Sequence, residues 1–359
     1  MKPLNPLASS PAARAVLALA LAAGAAPACA QSSVTLYGLL DSYLEYRNHN
    51  NAALDSRWAL NSGGMNTSRW GLRGSEDLGG GLKAIFQLEG ELAVDTGAGG
   101  SSLFGRQANV GLDGGFGRLV VGRSYSTSYD FIIAFDPMGY APAYSWATSA
   151  GATGARKDGM VTGVSNLVKY RGEFAGVRVG ASYGFGEVAG QTSDAATYNL
   201  GLGYSLGALS LVGTWEQING TTTASERDRT RTFHVGASYD FGTVKLFGVL
   251  RDYEKSFAAG GSDNQSRTAW IGATYRPVPA LTLTAAYYRQ DIRSGNTAPT
   301  VDDPSLLVLR ARYALSKRTD VYAVAGHADA KDGVVGVSRD DVAFGDTQTG
   351  VGFGIQHRF

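Results

Sequence analysis

Charged residues recur at alternate positions of short apolar segments in this chain. Lys83, Lys169, Arg171, Arg178, Arg310, Arg312 and Arg358 hold such positions, as do Asp41, Glu45, Glu89, Glu91, Glu173 and Asp240. Groups of this kind facing one water-filled space break no bonds. They shape a field: cations on one wall opposite carboxylates on another align polar solutes passing between them. For any one residue the plainer role is a solvated wall charge, because water-facing positions tolerate charge freely. Catalysis has less to build on. A hydrolytic centre needs a Ser/His pair and an orienting carboxylate or amide. Of the histidines, His49 lies in a loop, His357 sits at an edge with outward parity and His327 has no inward register. Only His234 has the parity of the water-facing set, and neither H-E-x-x-H nor G-x-S-x-G occurs.

The N-terminus reads as an export signal. Lys2 and Arg14 supply a basic start, Ala15–Ala26 an apolar run, and Ala28-Cys29-Ala30 a cleavage site before Gln31. That run is well short of the ~20 residues a spanning helix needs. Lipidation of Cys29 is the alternative, although Ala26-Pro27-Ala28 makes a poor lipobox. Cleavage after Ala30 leaves residues 31–359 as one domain without cysteine, which excludes disulfides, thiol catalysis and cysteine-held metals. It also lowers Lys+Arg from 32 to 30 against 31 Asp+Glu, turning a net charge of +1 into −1. A near-neutral chain of this kind has no electrostatic case for nucleic acid, and no motif implies a cofactor.

The elements that must position the charges are strands. Val34, Leu36, Leu40 and Leu44 share one face, opposite Thr35, Tyr37, Asp41, Tyr43 and Glu45. The same period of two recurs to the end of the chain, where Val351, Phe353, Ile355 and Phe359 oppose Gln356 and Arg358. A soluble sandwich would need a partner sheet for each apolar face. A closed barrel places the apolar face in lipid and the charged face in water, with no open edge. Arg106–Leu112, Arg118–Arg123 and Lys245–Tyr253 fit either parity. Seven short turns rich in Gly, Pro and Asp alternate with eight longer polar links, which gives sixteen strands. Tyr170, Phe174, Tyr204, Tyr239, Phe241, Tyr275, Tyr313 and Phe359 gather at the short-turn end as an interfacial girdle.

One link breaks the rhythm. The stretch 124–165 lacks alternation yet carries Phe131, Ile132, Ile133, Phe135, Tyr140, Tyr144 and Trp146, too apolar for a solvated linker. It is the third of the eight long links, and the barrel interior is the surface on which it can fold.

Several stretches resemble the trimeric general porins of Gram-negative outer membranes, above all their beta-proteobacterial branch. They are Ser33-Val-Thr-Leu-Tyr-Gly38, Ser68-Arg-Trp-Gly-Leu-Arg-Gly-Ser-Glu-Asp-Leu-Gly-Gly-Gly-Leu-Lys-Ala84, Gly105-Arg-Gln-Ala-Asn-Val-Gly-Leu112, Gly117-Arg-Leu-Val-Val-Gly-Arg123, Tyr313-Ala-Leu-Ser-Lys-Arg-Thr-Asp-Val-Tyr322 and Gly352-Phe-Gly-Ile-Gln-His-Arg-Phe359. The resemblance implies an all-β, sixteen-stranded antiparallel transmembrane barrel with short periplasmic turns, long external loops and the third loop folded into the lumen. It also implies a homotrimer in outer-membrane lipid and lipopolysaccharide, with a terminal Phe359 read by the barrel-assembly machinery. By the same resemblance Arg69, Arg106 and Arg156, with Lys157 beside them, form a basic cluster at the constriction. Asp130 and Asp136 of the loop then face Arg69 and Arg106. Met138 stands in Phe135-Asp-Pro-Met-Gly-Tyr140 where relatives carry an aromatic.

Together these observations lead to an outer-membrane channel for passive diffusion of ions and small hydrophilic solutes, weakly favouring anions. Its lumen wall carries Lys83, Glu89, Lys169, Arg171, Arg310 and Arg312. A channel specific for a sugar or an organic anion is the alternative, and an outer-membrane hydrolase a remote one. A sugar channel would want an aromatic slide, whereas lumen-parity aromatics such as Tyr37, Tyr43 and Tyr288 are scattered in the sequence.

Overall fold

A computed structural model describes residues 33–153, 156–223, 226–260, 263–294, 303–331, 335–339 and 344–359, without the side chains of 149–158. The proposed signal segment 1–30 lies outside the described residues. In chain order the strands are β1 (Ser33–Arg47), β2 (Arg57–Ser62), β3 (Arg69–Gly79), β4 (Leu82–Glu91), β5 (Gln107–Gly114) and β6 (Gly117–Tyr125). After the short helix α1 (Thr127–Ile132) come β7 (Ser149–Thr153), β8 (Arg156–Gly159), β9 (Gly163–Phe174), β10 (Val177–Gly184), β11 (Thr197–Leu206) and β12 (Leu209–Asn219). The chain continues with β13 (Arg229–Asp240), β14 (Val244–Ser256), β15 (Asn264–Val278), β16 (Leu281–Ser294), β17 (Ser305–Ala314), β18 (Thr319–Asp329) and β19 (Thr347–Arg358).

Neighbouring strands pair antiparallel in chain order, and β1 closes the sheet against β19 with Leu39 opposite Arg358 and Arg47 opposite Gly350. Among the described residues β2 and β3 act as one interrupted strand, since β1 pairs with both along the same edge. With β7 and β8 forming a separate hairpin, the closed barrel has sixteen staves, as the alternation of short and long links predicts. Phe359 completes the seam through mutual backbone hydrogen bonds with Gly38 at 3.0 and 3.1 Å. No described helix is long and apolar enough to cross a membrane; the crossing is made by strands.

The parity holds around the barrel. Val34, Leu36, Leu202, Phe233, Ile271, Leu309 and Phe353 are exposed on the outer face, while Asp41, Glu45, Glu89, His234 and Gln356 are buried inside. Segments of ambiguous parity resolve the same way: Val110, Leu112, Leu119, Val121, Leu246 and Leu250 point outward, and Val120, Val249 and Arg251 are buried inside. The girdle residues Phe174, Tyr204, Tyr239, Phe241, Tyr275, Tyr313 and Phe359 are all exposed.

One link differs from expectation. The first of the eight long polar links, which the turn spacing places over Asn48–Asn66, contains β2, whose Trp58 and Leu60 are 64% and 59% exposed on the outer face. Beyond Ser62 the chain leaves the wall and turns inward. There the Asp41 carboxylate accepts from the Met65 and Asn66 amides at 3.1 and 2.8 Å and from the Tyr322 hydroxyl at 2.6 Å. A buried carboxylate with three donors holds this break in place.

The apolar core lies inside the barrel, against one wall. Phe131, Ile132, Phe135, Met138, Tyr144 and Trp146 of the third long loop pack on Val212, Val249, Trp270, Leu306, Val308 and Val324 of β12 to β18. Val335 and Val337 of the last loop join them. Two glycine pairs make room for the loop. Gly180 and Gly201 stand directly opposite each other on β10 and β11, and a Cβ on either would come within 2.6 or 2.9 Å of the Phe131 ring. Gly326 and Gly350 are opposite on β18 and β19, and a Cβ there would meet Tyr144 at 2.8 or 2.9 Å.

Candidate functional site: the narrowed lumen

The loop that fills one side of the lumen is clamped through its backbone. Arg251, fully buried, donates to the Ala147 and Trp146 carbonyls at 2.8 and 3.2 Å. Arg310 donates to the Met138 carbonyl at 3.2 Å, and Arg339 of the last loop to that of Tyr140 at 3.2 Å. Trp270 Nε1 donates to the Phe135 carbonyl and Trp146 Nε1 to that of Gly336, both at 3.1 Å. Charged donors on buried carbonyls make strong, directional links. The loop is thus a fixed shelf. Its α1 begins at Ser126, whose hydroxyl accepts from the Tyr129 amide, and Ser128 donates to Asn199 on the wall at 2.9 Å.

The two loop carboxylates do not face the arginines assigned to them. Asp136 is buried and accepts from the Met138 and Tyr140 amides, the Ser145 hydroxyl at 2.8 Å and the Tyr288 hydroxyl at 2.5 Å. It closes the Phe135–Tyr140 turn, and four donors leave it nothing to offer the pore. Asp130 is held by Lys169 at 2.9 Å, and that ammonium also donates to Ser124 Oγ and the Tyr125 carbonyl.

The carboxylate that meets the arginines comes from the wall. Glu89 accepts from Arg106 Nε at 3.0 Å and from the Tyr125 and Tyr37 hydroxyls, each at 2.9 Å, and Arg69 Nε lies 3.7 Å away. One carboxylate therefore serves two guanidiniums. Arg106 lies over the Tyr125 ring at 5.6 Å, and Tyr125 stacks on Tyr129 at 4.5 Å, with Tyr140 next at 4.8 Å. Tyr125, Tyr129 and Tyr140 thus form an aromatic ladder along the shelf, which the scattered Tyr37, Tyr43 and Tyr288 do not join. Arg156 and Lys157 occupy β8, the second strand of the loop hairpin, with backbone partners Thr153 and Gly151; their side chains lie outside the described residues.

Toward the short-turn side of the shelf the lumen widens into a chamber of ≈ 450 Å³. Arg73, Arg118, Lys169 and Arg171 line it against a single carboxylate, Asp130. Lys83 lies opposite both Asp77 and Asp113 on the neighbouring strands, and Arg312 lies opposite Thr282 and Tyr322. His234 is buried under the shelf, with Thr214 Oγ1 2.9 Å from its Nδ1 and Trp270 across its edge. Arg251, Arg339 and the glycine pairs were not singled out by sequence. For the glycines a signal existed, since all four occupy lumen-parity positions of otherwise bulky strands.

The Gram-negative porin family model matches residues 15–333. Outer membrane porin protein 32 of Delftia acidovorans is 35% identical, the alignment covering 96% of this chain and 99% of that one. An outer membrane porin protein of Bordetella pertussis is 30% identical over 96% of this chain and 100% of its own. Among solved structures, the anion-selective porin from Comamonas acidovorans superposes with a TM-score of 0.77 at 30% identity, covering 92% of this chain and all of that one. OmpT of Vibrio cholerae in its trimer form shares the fold, with a TM-score of 0.69 at 20% identity.

Proposed function

Because the chain belongs to the Gram-negative porin family, we propose that its pore prefers anions weakly and that it works as a homotrimer. The protein is a general diffusion porin of the outer membrane, a sixteen-stranded barrel through which ions and small hydrophilic solutes pass. The observation that carries the anion preference is the division of charge. Asp136 is engaged by four donors and Asp130 by Lys169, while Arg69 and Arg106 converge on Glu89, with the half-exposed Glu91 3.9 Å from Arg106. A lumen with surplus positive charge concentrates anions. The anion-selective Comamonas relative supports the same sign. A reversal potential in a KCl gradient tests it, and a clear cation preference overturns it.

The constriction on this reading is made by Arg69, Arg106 and Glu89, with Arg156 and Lys157 adding to the basic cluster. Single-channel conductance of Arg156→Ala against wild type tests the last part. Removal of residues 1–30 on export is supported by the charge and cleavage pattern of that segment, and the mass of the mature chain checks it. The trimer is supported by the trimer form of Vibrio cholerae OmpT, and crosslinking in outer-membrane lipid with lipopolysaccharide checks it. Phe359 as an assembly signal is supported by its place at the barrel seam; Phe359→Ala should lower insertion by the barrel-assembly machinery in vivo. The specific-channel alternative predicts saturable uptake of one sugar or organic anion, whereas general diffusion predicts liposome swelling graded by solute size alone.

A further inference from the structure

A row of charge runs along the wall to the chamber below the shelf and ends unevenly at Arg118 and Arg171, which line it. Reading across neighbouring strands at one height, Asp77 stands opposite Lys83, Lys83 opposite Asp113, Asp113 opposite Arg118, and Arg118 opposite Arg171. The sign alternates across four strands and then repeats. Directly opposed residues bring their Cβ atoms to about 5 Å, and like charges so placed destabilise the pair.

Two nearby carboxylates are already engaged, and a third stands opposite another arginine. Arg118 Nε donates to Asp113 at 2.7 Å, Lys169 holds Asp130 at 2.9 Å, and Glu173 stands opposite Arg178. Among the described residues no carboxylate forms an ion pair with Arg171. Arg73, on the other flank of the chamber, likewise has no carboxylate partner among them and lies over the Tyr37 ring at 5.1 Å. The rest of the lining is rich in neutral donors, with Gln87 and Asn109 among them.

We propose that this chamber is a holding site for a compact, doubly charged oxyanion, bound between Arg171 and Arg118 in the place where the alternating row lacks a carboxylate. Inorganic phosphate and small dicarboxylates share that chemistry. The pair suits it because Arg171 presents a planar fork of donors without a carboxylate partner, while Arg118, held by Asp113 through Nε and Nη2, adds its remaining Nη1 donors and its charge. The site is separate from the Arg69–Glu89–Arg106 constriction and lies on the short-turn side of the shelf, so an anion that clears the narrow part meets it next. The inference rests on the anion preference proposed above.

The test uses the full barrel in planar bilayers with a KCl background at pH 8. Inorganic phosphate, then succinate, is titrated while chloride current is recorded. The expected result is saturable inhibition of the chloride current by both. Arg171→Gln should raise the half-saturating concentration about tenfold, the effect of losing one contacting cation on a doubly charged ion in water. Arg171→Lys should restore it to within about twofold, because it keeps the charge. Inhibition by phosphate alone narrows the ligand to phosphate, and by succinate alone to dicarboxylates; either upholds the site. Linear, non-saturating behaviour of an anion-selective wild type, or no change in Arg171→Gln, overturns the site and leaves the anion preference standing. A cation-selective wild type overturns the premise itself.

Discussion

Replacing Glu89 by Gln removes the carboxylate that both Arg69 and Arg106 approach, leaves Glu91 3.9 Å from Arg106, and keeps an acceptor oxygen for one of the two hydroxyls, Tyr37 and Tyr125, that bond separate Glu89 oxygens. The magnitude follows from Coulomb's law. A unit charge acting on an ion about 8 Å away in water is worth ~0.5 kcal/mol. At 0.1 M salt, where the Debye length is ~10 Å, screening leaves roughly half of that. Deleting a negative charge helps the anion and hinders the cation by equal amounts, so the two contributions add to about 0.5 kcal/mol. The chloride-to-potassium permeability ratio should therefore rise about twofold at 0.1 M salt, and the change should nearly vanish at 1 M, where screening acts within ~3 Å. Reversal potentials under a fixed salt gradient, repeated at the two mean ionic strengths, measure it. An unchanged ratio at low salt would mean that Glu89 does not act on the ion path. A shift toward potassium would mean that the charge division described for the constriction is wrong.

Gly201→Val should unseat Phe131, since even a Cβ there comes within 2.9 Å of the ring, and overpacking of this kind costs about 1–3 kcal/mol; open-channel current noise should rise, and wild-type noise would count against a seated shelf. Arg251→Met should free the Trp146 and Ala147 carbonyls at a cost of about 1–3 kcal/mol each, read as a lower melting temperature and a larger unit conductance. Tyr288→Phe should be milder, because Asp136 keeps three other donors, and a loss of roughly 1 kcal/mol in denaturant unfolding is expected. In the external loops, hydrogen bonds from the Thr222 amide and hydroxyl, aided by Arg227, hold the Asp194 carboxyl below its ordinary 3.8. A depressed carboxylate stabilises the fold above its unfolded pKa and loses that contribution as pH falls through the folded value. Protease resistance of the 185–196 and 220–228 loops should thus drop below about pH 4 in wild type, and Asp194→Asn should remove the pH dependence.

The barrel was legible because its forces are local and periodic. Alternation assigns Leu309 outward and Arg310 inward without reference to any distant residue, and Gly-, Pro- and Asp-rich turns punctuate it. Reading failed where polar composition masked the period, as in Arg57–Ser62, whose outward Trp58 and Leu60 sit among Asn, Ser and Gly. It failed again where one side chain's role depends on a partner far along the chain. Asp136 is withdrawn from the pore by Tyr288, and Glu89, read as an ordinary wall charge, is drawn to the arginines by Tyr37 and Tyr125. Arg339 lies in a loop without periodicity, so nothing in the sequence tied it to Tyr140.

The opposed glycines under Phe131 and Tyr144 also act as error detection. Each seat exists only when two particular strands are in register, and a slip of one residue turns every side chain to the other face of the sheet. A barrel zipped one step out of place at β10 and β11, or at β18 and β19, presents side chains where the loop needs bare backbone, and the shelf cannot dock. Docking of the shelf is therefore conditional on correct register at these two strand pairs. Barrels caught midway through refolding should conduct in large, unsteady steps that shrink to the final value as the registers lock.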